Sequence, residues 1–188
     1  MLAAMEKEIR LRASEFNQQP LQTIYIGGGT PSLLTEPELT GLFAAIEESA
    51  LDFNVAKNSL SSNAFTGTAG SPVEITFEAN PDDLTDEKVA MLAASPVNRL
   101  SIGLQSFDEA DLRFMNRAHS ANESTEAMQR VLKAGFTDLS VDLIYGSPTT
   151  SDATWNDNIS RVLDFGVPHV SAYALTVEPQ TVLAHKVK

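Results

Sequence analysis

The sequence predicts an α/β protein, a partial (β/α) barrel of five parallel strands. Two observations predict it. Short β-branched and aromatic runs alternate along the chain with stretches of helical periodicity, and such alternation implies parallel strands joined by right-handed helical crossovers. In addition, each of the five strand-like runs ends in glycine or polar residues, and in parallel α/β folds ligands bind at that end of the sheet.

The elements follow in order. Leu2, Met5, Ile9 and Phe16 fall roughly on one face of an opening helix, which occupies much of residues 1–20. Leu21–Ile26 reads as a strand stopped by Gly27-Gly28-Gly29. Thr35-Glu36-Pro37-Glu38 forms a capping box with proline near the helix start, and the helix runs to about Ala50 with Leu39, Leu42, Phe43 and Ile46 inward. Residues 54–72 are rich in Asn, Ser, Thr, Ala and Gly without periodicity, which predicts a mobile loop insertion. Val73–Asn80 is a strand stopped by Pro81, and Thr85 caps a short helix to Ala94. Arg99–Ser106 is a strand followed by helical sequence from Asp108. Ser120-Ala121-Asn122-Glu123 is a second capping box, and its helix stops at Gly135. Leu139–Tyr145 is a strand, Asp152–Asp164 a helix and His169–Leu175 a last strand with no helix after it. A closed barrel uses eight such pairs, so five strands leave an open, curved sheet with two exposed edges.

Composition narrows the function classes. The 188 residues suit one domain spanning 1–188, and 43% are apolar. The formal charge is −12 and the pI about 4.5. With thirteen scattered Lys and Arg there is no basic stripe for nucleic acid and no basic amphipathic helix for a membrane surface. No apolar run reaches the roughly 18 residues needed to cross a bilayer, and Met1–Arg12 is too charged for a secretory signal, so a cytoplasmic location is expected. Cysteine is absent, which removes disulfides, thiolate metal sites and any cysteine nucleophile.

The candidate site is the set of strand ends. Gly27-Gly28-Gly29-Thr30-Pro31 lets the backbone approach a ligand, although a tight strand-to-helix turn would use the same glycines; it lacks the Gly-Lys-Ser/Thr of a phosphate loop and the spacing of a dinucleotide fingerprint. Glu78 shares a strand face with Glu74 and Thr76 and is either a barrel-rim ligand group or a solvent-facing carboxylate. Asp142, between Val141 and Leu143, must be paired or liganded, by a ligand or by a structural partner. Arg117 suits a fork onto a carboxylate, though most helical arginines are simply solvated. Gln105 and Ser106 end the third strand, and Tyr173 and Thr176 the fifth. His119, His169 and His185 lack metal-ligand spacing, and no metal ligand is assigned. Asp82, Asp83, Asp86 and Glu87 read as a solvated helix start, not a cation site.

Five segments together resemble the oxygen-independent coproporphyrinogen III oxidase group of the radical S-adenosylmethionine (radical SAM) family. They are Ile24-Tyr25-Ile26-Gly27-Gly28-Gly29-Thr30-Pro31-Ser32, Glu78-Ala79-Asn80-Pro81, Gly103-Leu104-Gln105-Ser106-Phe107, Asn116-Arg117-Ala118-His119 and Val141-Asp142-Leu143-Ile144-Tyr145-Gly146. Glu78–Leu84, Arg117–Ser120 and Tyr173-Ala174-Leu175-Thr176-Val177-Glu178-Pro179, with Thr181 completing the pattern, look more like its haem chaperone (HemW-like) branch than its porphyrinogen dehydrogenases. The resemblance implies a (β/α)6-type barrel that binds S-adenosylmethionine against a [4Fe–4S] cluster held by a Cys-x3-Cys-x2-Cys loop. Dehydrogenases of the group cleave the cofactor to a radical that attacks porphyrinogen propionates; the chaperone branch binds haem and passes it to recipient proteins.

By position, the resemblance assigns Gly28, Gly29 and Thr30 to the methionyl part of S-adenosylmethionine. Glu78, Gln105, Arg117 and Asp142 supply polar contacts, with Arg117 on the carboxylate, and Ala174 gives a backbone contact. No residue is assigned a catalytic role. The cluster loop belongs well before Gly27, yet only 26 residues precede it, and none is cysteine. The resemblance therefore implies a fragment lacking the first strand, the cluster loop and the C-terminal domain, inactive alone.

Overall fold

The computed structural model describes residues 1–16, 21–50 and 73–186. The expected loop at 54–72 and the end of the expected 1–20 segment lie outside the described residues. Five strands form one parallel sheet in chain order, β1 (Thr23–Ile26), β2 (Glu74–Ala79), β3 (Arg99–Gln105), β4 (Asp138–Tyr145) and β5 (His169–Ala174). The helices are α1 (Leu2–Arg12), α2 (Glu36–Ala50), α3 (Asp86–Ala94), α4 (Glu109–Phe114), α5 (Ala121–Lys133), α6 (Asp152–Asp164) and α7 (Val182–Lys186). Sequential parallel order with helical connections is the open barrel that the sequence predicts.

Local chemistry starts and stops these elements where expected. Ser120 and Glu123 form a complete capping box on α5, and Gly135 leaves that helix at φ +94°. Thr85, Asp108 and Ser151 cap α3, α4 and α6 through their side chains. At α2 the Glu38 carboxylate accepts both the Thr35 N–H and its hydroxyl, at 2.8 Å each.

Strand alternation separates two faces. Ile75, Phe77, Leu100, Ile102, Leu104, Leu139, Val141 and Leu143 point to the helices and join Leu92, Met128 and Val131 in one core. Each such side chain removed from water contributes about 1.5–3 kcal/mol. The concave face is polar. There Arg99 reaches Glu74 at 3.1 Å, Asp138 at 3.2 Å and His169 Nδ1 at 3.2 Å. Ser140 Oγ lies 2.9 Å from the same nitrogen. These bonds tie β2, β3, β4 and β5 together at the end of the sheet opposite the glycine run.

One expectation is corrected. A helix does follow the last strand: Thr181 Oγ1 accepts the Ala184 N–H at 3.2 Å and opens α7. The pattern was too short, at five residues, to register as periodicity. The apolar face of α1 stays open: no residue of the helix is buried, Met5 is 44% exposed, and Phe16, in the 3-10 turn that follows, is 50% exposed. Met5, Ile9 and Phe16 instead line an open groove with Leu21, Ile24 and Ile46. An Arg10–Glu48 ion pair at 2.6 Å ties α1 to α2.

Candidate functional site

The parallel register brings the C-terminal ends of the strands to one mouth. β1 exits through Gly28 and Gly29, whose φ values of +81° and +66° are strained for any residue with a side chain. The turn presents the Gly28 N–H to Glu78 Oε2 at 2.8 Å. The other oxygen of Glu78 accepts the Tyr25 hydroxyl at 2.6 Å. That bond, with burial added, pushes the Tyr25 phenol up to about 12. Gly27 is what lets these groups meet: a Cβ there would lie 2.3 Å from Tyr25 Cε1 and 2.8 Å from Glu78 Cδ.

Arg117 arrives from the next connection. The chain leaves α4 through Asn116 at φ +55°, and the Arg117 N–H closes back on the Leu112 carbonyl at 2.9 Å. This places the guanidinium over β3, where its contacts among the described residues are long, 3.5 Å to the Gly103 carbonyl and 3.5 Å to Asn80 Oδ1. A side chain at Gly103 would fill that space, since its Cβ would lie 2.8 Å from Gln105 Nε2 and 3.7 Å from the Arg117 guanidinium. Asp142 comes from β4. Burial pushes its carboxyl above the usual range, the nearby charge of Glu78 adds to this, and a Ser171 hydrogen bond opposes it.

Gly29, Thr30, Glu78, Gln105, Arg117 and Asp142 line one open cavity of about 210 Å³. It is smaller than the roughly 300–1,000 Å³ of sites that enclose a whole drug-sized ligand and has room for one end of such a molecule. Its charged groups are two carboxylates and one guanidinium. Gly28 is not among the lining residues; its amide is taken by Glu78. Ala174 ends β5 opposite Tyr145 and is not among the lining residues. Among the rim residues, Ser106 turns inward and is fully buried, while Tyr173 is 55% exposed.

The sequence reading overlooked Tyr25, Ser101 and Gly103 as site residues. Ser101 and Gly103 line the cavity, and period-2 alternation from Gln105 marks both. Tyr25 carries no local signal; only pairing across β1 and β2 brings it to Glu78. Among the described residues, His119 is buried, with its Nε2–H donating to the Leu104 carbonyl at 3.0 Å, and so is structural.

The fit to the implied groups divides. Two carboxylates and a guanidinium complement the two cations and one anion of S-adenosylmethionine, its ammonium, sulfonium and carboxylate. A [4Fe–4S] cluster finds no ligand, because the chain contains no cysteine.

Comparison with known proteins gives the family. The model of the radical SAM superfamily matches residues 5–162. A haem chaperone HemW of Lactococcus lactis is 37% identical over 171 residues, covering 91% of this chain and 41% of that protein. HemW of Mycobacterium tuberculosis is 34% identical over 187 residues, covering 100% of this chain and 44% of that protein. The solved radical SAM coproporphyrinogen III oxidase of Escherichia coli superposes with a TM-score of 0.76 at 26% identity, covering 98% of this chain and 39% of that one. The chain thus spans less than half the length of these relatives.

Proposed function

Because the chain belongs to the radical SAM superfamily, we propose that its rim cavity binds the methionyl end of S-adenosylmethionine and that the whole protein is a haem chaperone. The observation that carries the binding reading is the convergence of Gly29, Thr30, Glu78, Gln105, Arg117 and Asp142 on one cavity of matching charge. Arg117, lacking a close acceptor of its own, takes the ligand carboxylate as a planar fork. Glu78 takes the ammonium. It already orders the Gly28 turn, so the anion is in place before the ligand arrives. Asp142 faces the sulfonium and ribose side, where a nearby cation would favour its ionised form. Gly28, Gly29 and Thr30 flank the methionyl group with backbone and hydroxyl, and Ala174 would add a backbone contact at the β5 end.

Bound S-adenosylmethionine would supply, in a dehydrogenase, a radical precursor. This chain's own residues bind and orient it, and with no thiolate in the chain they hold no cluster. Identity of 34–37% to proteins named haem chaperones supports haem as cargo and haem-recipient proteins as partners. A second reading, an oxygen-independent coproporphyrinogen III dehydrogenase, rests on the superposition with the Escherichia coli oxidase. Among the described residues no helix is long and apolar enough to cross a membrane.

The two readings separate on substrate. Spectrophotometric titration of the whole protein with haem, beside an assay of coproporphyrinogen III conversion, expects stoichiometric haem binding without conversion. Conversion of the propionates to vinyl groups without haem binding would favour the dehydrogenase.

A further inference from the structure

Four of the buried polar side chains lie outside the cavity and close on the turn that carries Gln105. β3 ends with Gln105 at φ +66°, a left-handed conformation that a glutamine rarely adopts. The turn is three residues long, closed by the Ser106 N–H on the Leu104 carbonyl at 2.8 Å. The β3–β4 register shifts between Ile102 and Gln105, so β3 carries an extra residue before Gln105 pairs with Leu143.

What holds it lies behind it. The Ser106 hydroxyl uses its full bonding capacity. It donates to Asp111 Oδ2 at 3.1 Å and accepts from Asn158 Nδ2 and the Asp108 N–H, at 3.0 Å each. Asn158 Oδ1 in turn accepts the Phe107 N–H at 2.7 Å. The second oxygen of Asp111 accepts the Thr149 hydroxyl at 2.5 Å, which ties in the connection after β4. From the other side His119 bonds the same Leu104 carbonyl that closes the turn. Asp111 and Ser106 are fully buried and Asn158 is 1% exposed. Such a set is costly unless every member is satisfied, and here each one is.

We propose that Ser106, Asp111 and Asn158 are positioning residues: they lock the left-handed turn at Gln105 and thereby aim its side-chain amide into the cavity beside Arg117. None of the three lines the cavity. This inference rests on the S-adenosylmethionine reading of the site for its ligand, and on the turn alone for its mechanism.

The test uses Ser106→Ala and the isosteric Asp111→Asn, alone and combined with Gln105→Ala. Nuclear magnetic resonance reads amide exchange at Ser106 and Phe107, and S-adenosylmethionine affinity by titration. The proposal expects both network variants to speed exchange at Ser106 and to weaken the ligand about tenfold. In the Gln105→Ala background the same substitutions should cost no further affinity. Equal affinity loss in both backgrounds would overturn it, as would unchanged exchange at Ser106. If Ser106→Ala fails to fold, Asp111→Asn carries the comparison. If the parent chain shows no ligand shifts while exchange responds as expected, the ligand reading fails and the turn lock stands.

Discussion

The Glu78 carboxylate accepts the backbone N–H of Gly28 at 2.8 Å, across fifty residues of sequence. Its other oxygen holds Tyr25. One anion therefore orders the glycine turn and marks the site's negative pole. Glu78→Gln removes the charge with little change of shape. S-adenosylmethionine affinity should fall about tenfold or more, since hydrogen bonds to charged groups are roughly twice as strong as neutral ones. The Tyr25 phenol should drop from about 12 toward 10, read by ultraviolet absorbance on raising pH. An unmoved Tyr25 would mean that Glu78 does not govern it.

Gly103 is the floor of the cavity. Gly103→Ala drives a methyl to 2.8 Å from Gln105 Nε2, the far end of a flexible side chain that can move aside. Folding stability should change by less than about 1 kcal/mol, because the backbone there is not left-handed. Ligand affinity should fall at least tenfold as Gln105 and Arg117 are displaced. A melting curve and a titration on the same sample separate the two effects.

Asp142 is held above the usual carboxylate range by burial. The folded state therefore binds its proton more tightly than the unfolded state. The stability it contributes is present in acid and is lost as pH rises through the raised folded value. At neutral pH its charge is a cost, so Asp142→Asn should melt higher than the parent at pH 7. The advantage should shrink in acid, and the substitution should weaken S-adenosylmethionine. Equal melting temperatures across pH would contradict this.

His119 titrates in the opposite sense. Burial holds its imidazolium form down, and this outweighs Asp82 at 3.8 Å, which is itself 35% exposed. The unfolded state then takes the proton first, so stability is lost as pH falls below the ordinary histidine value of about 6.5. His119→Gln, which keeps a donor for the Leu104 carbonyl, should flatten this acid-side loss. The check is the melting temperature followed through mild acid.

Ser120→Ala breaks the capping box of α5 away from the site. It should cost about 1 kcal/mol by denaturant unfolding and leave the ligand shifts unchanged. Loss of affinity there would mean that stability and binding are not separable in this chain.

The strand order and the glycine and polar strand ends were legible because they rest on local signals, while the role given to Arg117 came only through the family resemblance. Caps such as Ser120-x-x-Glu123, glycines after β1 and one polar residue per strand end all sit next to the feature they mark. The rest needs three-dimensional proximity. Ser106 reads as another polar strand end, but the left-handed turn at Gln105 swings it into the core toward Asn158, which lies 52 residues away. Met5 and Phe16 have the spacing of a buried face, yet the groove beside them stays open, since periodicity reports which residues share a face and not what covers it. Tyr25 is set by its pairing partner, and α7 is too short for a pattern to show.

The central claim is that the ends of β1, β2, β3 and β4 form one grip for a sulfonium amino acid. Titration of the isotope-labelled chain with S-adenosylmethionine, followed by amide resonances, tests it most directly. Binding should be weak, because the cavity has room for only one end of the ligand. The shifts should cluster at Gly28, Gly29, Glu78, Gln105, Arg117 and Asp142 and should be lost in Arg117→Ala. Shifts confined to other surfaces, or none at millimolar ligand, would contradict the account.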